Sequence, residues 1–257
     1  METMTASLLR NRLLAHASPD DFRLLEPHLE PITLPIRFDL ERRNTRIEHV
    51  YFMNDGIASV VGVQGNETRI EVGLVGCEGM TGTAVVLGDD RSPHSTYMQV
   101  SGDGQRIASA ALRSAMKASG SLSALLLKYV HAFHLQTAHT AIANASARID
   151  ERCARWILMA HDRVRGDRLA LTHESLALML GVRRAGVTEA LHSLSREGHI
   201  ALSRGEITVL DRNGLEGAAK DSYGAPEAEF RRLFGYDVGV LPNDKRMQED
   251  ASPLALA

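Results

Sequence analysis

Arg183 and Arg184 stand side by side, and Thr188, Glu189 and His192 follow at helical spacing in RRAGVTEALHSLSR. A guanidinium fork matches guanine O6 and N7 in a DNA major groove, or grips a phosphate. Glu189 only accepts hydrogen bonds, so it suits a cytosine amino group. Ala185 lies on the same face, and Arg204 sits in a turn where it would reach a phosphate. Thr172 and His173, with the backbone N–H groups of a helix start, can hold another phosphate. These nine residues are the expected DNA contacts. No Ser/His/Asp or paired-carboxylate arrangement can be placed, and neither Walker nor Rossmann glycine spacing occurs, so no catalytic residue and no enzyme activity are expected.

The elements that would carry this face are legible locally. Thr172 is an N-cap, with Glu174 in the first turn to complement the helix dipole. Leu176, Met179 and Leu180 recur at helical spacing. Gly181 supplies the left-handed residue that ends the helix, and Val182 is an apolar plug after it. A second helix is expected from about Arg183 to Arg196, with Val187, Leu191 and Leu194 inward. Gly198 stops it. Ile200–Leu202 and Glu206–Leu210 then read as strands around an Arg204-Gly205 turn. The order is helix, turn, helix, wing, which places a second helix in the major groove.

Charge agrees by distribution. The 257 residues carry a net charge of −3, yet residues 152–212 hold ten Lys+Arg against seven Asp+Glu. Dimerisation would double that surplus on one DNA face. The two cysteines, Cys77 and Cys153, are far apart. No apolar run is long enough for a membrane span, and the N-terminus lacks a signal-peptide core, so a reduced cytoplasmic setting without membrane contact is expected.

Upstream, residues 5–30 look helical, with Ser18-Pro19 starting a second helix. From Ile32 to Ser109 six or more short β-leaning runs (ITLPIRFDL, HVYFMNDG, IASVVGVQG, TRIEVGLVG, STYMQVSG, QRIAS) suggest an antiparallel barrel or jelly roll. A small helix at Ala110–Ala118 closes it. A long helix is expected from about Leu122 to His161, spanning roughly 60 Å. Leu122, Leu126, Tyr129, Phe133, Gln136, Thr140 and Ala143 track near 3.5-residue spacing and are expected to pack against a second copy. The expected class is α+β. Its parts are a roll over 1–120, a dimerisation helix over 121–161, a winged helix over 162–213, and a partly disordered C-terminal extension over 214–257 with one short helix at Ala225–Phe234.

This order resembles the Crp–Fnr superfamily of bacterial transcription regulators. The segments that carry the likeness are HVYFMNDGIASVV, VGLVGCEGMTG, ERCARWILMAHDRV and LTHESLALMLGVRRAGVTEALHSLSREGHI. The resemblance implies a homodimer on a near-palindromic operator, an N-terminal sensing domain, and RNA polymerase as a partner. The departures are specific. One branch has a phosphate-binding cassette in the roll, Gly-Glu then Arg-Ser or Arg-Thr, whose Glu binds the ribose and whose Arg neutralises the cyclic phosphate. In GTAVVLGDDRSPHST, Gly82 remains, Thr83 replaces the Glu, and Arg91-Ser92 comes slightly early. Gly82, Thr83, Arg91 and Ser92 mark the corresponding pocket, and no cyclic nucleotide is expected in it. With no cysteine before Cys77, a four-thiolate iron–sulfur centre is not expected either. His131 and His134, three apart, offer a haem or metal site, but read better as polar residues of the helix; no metal or haem is expected. A common recognition-helix pattern of Glu and Arg four apart falls here on Ala185 and Glu189, so the family's usual operator is not expected.

Overall fold

The computed structural model describes residues 10–64 and 68–239. The chain is α+β, with an antiparallel roll, a helical spine and a winged helix. Among the described residues two short helices come first, α1 (Arg12–Ala15) and α2 (Pro19–Leu25). Asn11 caps α1 through its Oδ1, while its Nδ2 donates to the carbonyls of Met53 and Gly79, both at 2.8 Å. Ser18 caps α2 by accepting from the Asp21 N–H, as the Ser-Pro pair predicts. The part of the expected helical region over residues 5–9 lies outside the described residues.

Seven strands build the roll: β1 (Glu30–Leu34), β2 (Asp39–Glu41), β3 (His49–Met53), β4 (Ile57–Gln64), β5 (Thr68–Val75), β6 (Ser95–Val100) and β7 (Gly102–Ala108). They form two antiparallel sheets, β1-β7-β3 and β2-β6-β4-β5. Leu34, Leu40, Met53, Ala58 and Met98 are sealed from water between the sheets. A one-turn helix, α3 (Thr83–Val86), sits between β5 and β6, and α4 (Ser109–Ala118) follows β7.

The expected forty-residue helix is two helices. The first, α5, runs Gly120–Ser146, and the second, α6, runs Ile149–Arg163. Ala147 and Arg148 are extended between them. Glu151 accepts from the Arg148 backbone N–H, and Asp150 and Glu151 supply the negative charge a helix start favours. The break eluded the sequence because Arg148, at the N-cap, has no side-chain acceptor.

The expected dimer seam also needs correction. Leu122, Leu126, Tyr129, Gln136 and Ala143 are buried against their own chain. The Gln136 side chain accepts from Leu74 N at 2.7 Å and donates to Leu74 O, extending the edge of β5. Tyr129 lies so close over Gly79 that a Cβ there would collide with its ring. Phe133 packs against the same clusters, and Thr140 spends its hydroxyl on the Gln136 carbonyl. Periodicity marked the face toward the roll. Leu127, His131 and Ile142 occupy the opposite, exposed face.

The winged helix comprises β8 (Arg168–Ala170), α7 (His173–Leu180), α8 (Arg184–Arg196), β9 (Ile200–Ser203) and β10 (Glu206–Val209). The wing is three-stranded, in the order β8-β10-β9. Its apolar core runs on without a gap into Ile57 and Leu74 of the roll.

The expected boundary between 213 and 214 cuts through a helix, α9 (Arg212–Ala219). Leu215 and Ala219 of α9 join the winged-helix core. The next helix, α10 (Ala225–Phe234), coincides with the expected one, but it is docked rather than trailing: Phe230 and Phe234 stack 4.6 Å apart and bury themselves against α5. Beyond it, the Arg12 guanidinium donates to the carbonyls of Asp237 (2.5 Å) and Gly239 (2.6 Å). The extension thus forms structure through residue 239; the stretch expected to be disordered, residues 241–257, lies outside the described residues.

Candidate nucleic-acid interface

Thr172 caps α7 by accepting from Ser175 N at 3.0 Å. Gly181 closes the helix at φ 63°, and a Cβ there would meet Ile70 of β5 at 2.9 Å. Both the left-handed backbone and the close approach call for glycine. The Val182 N–H then donates to Ala177 O, and the chain enters α8 with Arg183 at its N-cap. Val187, Ala190, Leu191 and Leu194 fix α8 to the core.

That packing leaves Arg183, Arg184, Ala185, Glu189 and His192 exposed on one side of α8. Arg184 has only a loose ion pair with Glu174, at 3.8 Å, with both side chains largely in water. A phosphate or base can displace such a contact at little cost. Thr188 shares a hydrogen bond with His173 at 3.0 Å, and the His173 ring stands edge-on to His192, 6.2 Å away. Burial, His192 and Arg184 all push the pKa of His173 down. These two residues brace α7 against α8 more than they offer free donors. Arg204 projects from the exposed β9–β10 turn, beside Gly205 at φ 76°. The structure thus gathers eight of the nine expected contacts around the start of α7 and along α8, with Arg204 on the wing.

The roll's pocket departs from expectation. A cavity of about 400 Å³ lies between the β2-β6-β4-β5 sheet and α5, and Gly82, Thr83 and Ser92 line it. Arg91 does not: its side chain is 64% exposed and pairs with Asp90. In its place the wall holds Glu41, whose Oε1 accepts from Gly82 N at 2.7 Å. A cyclic phosphate brought here would face a carboxylate and no guanidinium, so the residues present do not fit that nucleotide.

Two junction contacts were missed by sequence reasoning. The Trp156 indole N–H of α6 donates to Glu71 of β5 at 2.6 Å, and Ser59 donates to the other carboxylate oxygen at 2.6 Å. Arg163, at the end of α6, pairs with Glu78 in the turn after β5. A charged residue inside the apolar run TRIEVGLV was the available signal for Glu71. Cys77 and Cys153 are both buried, which pushes each thiol up to about 12, with Glu78 adding to the effect at Cys77. Among the described residues, no three His, Cys, Asp or Glu side chains gather as a metal site, and no helix is long and apolar enough to cross a membrane.

Residues 151–218 match the model of the Crp-like helix-turn-helix domain. No curated protein matches the chain by sequence. Among solved structures, the chain is similar to a protein from Eubacterium rectale assigned to the Crp/Fnr family of transcriptional regulators, at 18% identity and a TM-score of 0.65 over 82% of this chain and 98% of that one. It is similar to FixK2 of Bradyrhizobium japonicum at 13% identity, with a TM-score of 0.62 over 75% of this chain and 98% of that one. It also resembles CLP, a c-di-GMP responsive global regulator of Xanthomonas campestris, at 17% identity and a TM-score of 0.59 over 75% and 99% of the two chains. Likeness at these identities establishes a shared fold. The chain thus carries a Crp-like helix-turn-helix domain over residues 151–218, within a fold shared with solved proteins of the Crp/Fnr family.

Proposed function

We propose that the protein acts as a homodimer on a near-palindromic operator, with α8 of each copy in successive major grooves about one DNA turn apart. The observation that carries this reading is the row Arg183, Arg184, Ala185, Glu189 and His192, exposed along one side of a helix whose other side is locked into a core. Arg183 and Arg184 read guanine or hold phosphate, Glu189 and His192 refine the sequence, and Arg204 and the start of α7 grip the backbone. Leu127, 47% exposed, and Ile142, 58% exposed, lie on the side of α5 away from the roll and supply the face for the second copy. The roll acts as the sensor, without a cyclic nucleotide, haem or iron–sulfur centre. The protein works in the cytoplasm, and RNA polymerase is its partner at the promoter.

Selection from a random duplex pool at fixed, moderate salt tests the reading, with light scattering on the same sample. The expected result is a two-fold-symmetric motif and a dimer mass. A monomer that enriches no motif would overturn it.

A further inference from the structure

The roll's cavity has a chemistry of its own. Apolar side chains, among them Val60, Val72, Leu87 and Phe133, share its wall with the hydroxyls of Thr81, Thr96 and Thr137. Glu41 and His94 also line it, and neither Arg43 nor Arg91 does. The Glu41 carboxyl is raised by burial, an effect partly offset by hydrogen bonds from Gly82 and Thr96. Burial and Arg43 push the pKa of His94 down, and its buried Nδ1 has no hydrogen-bond partner among the described residues. An acceptor without a donor and a carboxylate with no ion pair among the described residues thus stand on the wall of one cavity. An anion entering here would be repelled by Glu41 and find no Lys or Arg on the wall. An ammonium would meet an opposite charge where the low dielectric strengthens the attraction.

Resting on the sensor reading of the roll, we infer that this cavity binds a small organic cation: an aromatic or branched aliphatic body against Val60, Val72 and Phe133, with an ammonium head on Glu41 and His94. The helix that walls the cavity through Val130, Phe133, His134 and Thr137 is α5, which also presents Leu127 and Ile142 outward. Occupancy would therefore bear on the same helix that offers the proposed dimer face.

The test uses three probes on the full chain without DNA, so that it stands apart from operator binding: phenethylamine, phenylacetate and cyclic AMP, followed by ligand-observed NMR and thermal shift. Phenethylamine should bind saturably, at least tenfold tighter than phenylacetate or cyclic AMP. Glu41→Gln, which keeps an acceptor for Gly82 N–H, should erase the preference of amine over acid. Val72→Phe, which fills the chamber, should abolish phenethylamine binding and guards against misfolding of the first variant. Equal or tighter binding of phenylacetate or cyclic AMP would overturn the inference, as would binding of none of the three at millimolar concentration.

Discussion

Arg163 and Glu78 meet at 2.8 Å with side chains only 2% and 3% exposed, joining the last turn of α6 to the turn that follows β5. Burial alone opposes the Arg163 charge, but Glu78 and Asp162 outweigh it and raise its pKa. The roll and the helix leading into the winged helix are thereby held by a charge pair that water does not screen. Removing one partner should expose the cost. Glu78→Ala leaves a buried guanidinium unpaired and is expected to lose about 3–5 kcal/mol in urea unfolding. Replacing both partners with Met and Leu should recover most of that. A loss below about 1 kcal/mol in the single variant would show that the pair relaxes into solvent.

The exposed arginines of α8 carry separable expectations. Arg184→Ala should cost about 1–3 kcal/mol and relax one operator position if the side chain reads a base. A phosphate role instead predicts uniform weakening across sequences and a salt slope reduced by about one. Fluorescence anisotropy across a salt series separates the two. Unchanged affinity and unchanged preference would remove Arg184 from the interface.

The two faces of α5 should respond differently. Ile142→Asp places a charge on the proposed partner-facing side and is expected to shift the protein toward monomer in light scattering while its helical circular dichroism is retained. Leu126→Ala opens a cavity inside the chain's own core and should cost about 2–5 kcal/mol. If Leu126→Ala dissociated the dimer and Ile142→Asp did not, the assignment of the faces would be reversed.

Stability should fall as pH rises toward 7. The Glu71 carboxyl is raised to about 7 by burial, against hydrogen bonds from Ser59 and Trp156, and Asp162 is raised to about 6 by burial, against Arg212. The folded state therefore holds protons that the unfolded chain releases near pH 4, and that advantage is lost as each group ionises in place. For Glu71 the change is on the order of 3 kcal/mol across the window between about pH 4.5 and 7. Glu71→Gln should flatten much of the slope in urea midpoints measured over that range. An equal slope in the variant would assign the pH dependence elsewhere.

The winged helix was legible because its cues are local. Thr172 caps its own helix, Gly181 ends that helix at positive φ, and α8 spans 184–196 where a helix from about Arg183 was expected. What failed was long-range. Both faces of α5 are apolar, so periodicity alone could not tell the side that covers β5 from the side left open. Arg91 stands near its expected place in sequence, yet its guanidinium turns to Asp90, outside the cavity that Gly82 and Thr83 line. Glu41, forty-one residues before Gly82, became part of that wall only through the pairing of β2 with β6. Phe230 and Phe234 announced a helix but not its landing site on α5.

The clasp of Arg12 on Asp237 and Gly239 has a consequence for synthesis. A chain leaves the ribosome N-terminus first, and domains tend to fold in that order. Here the apolar surface formed by Leu13, Leu125 and Ala132 shares one cluster with Phe230 and Phe234. That surface stays uncovered until translation has passed the winged helix and reached the last described residues. Leu13 therefore completes its packing only once the helix that carries Phe230 and Phe234 has been made.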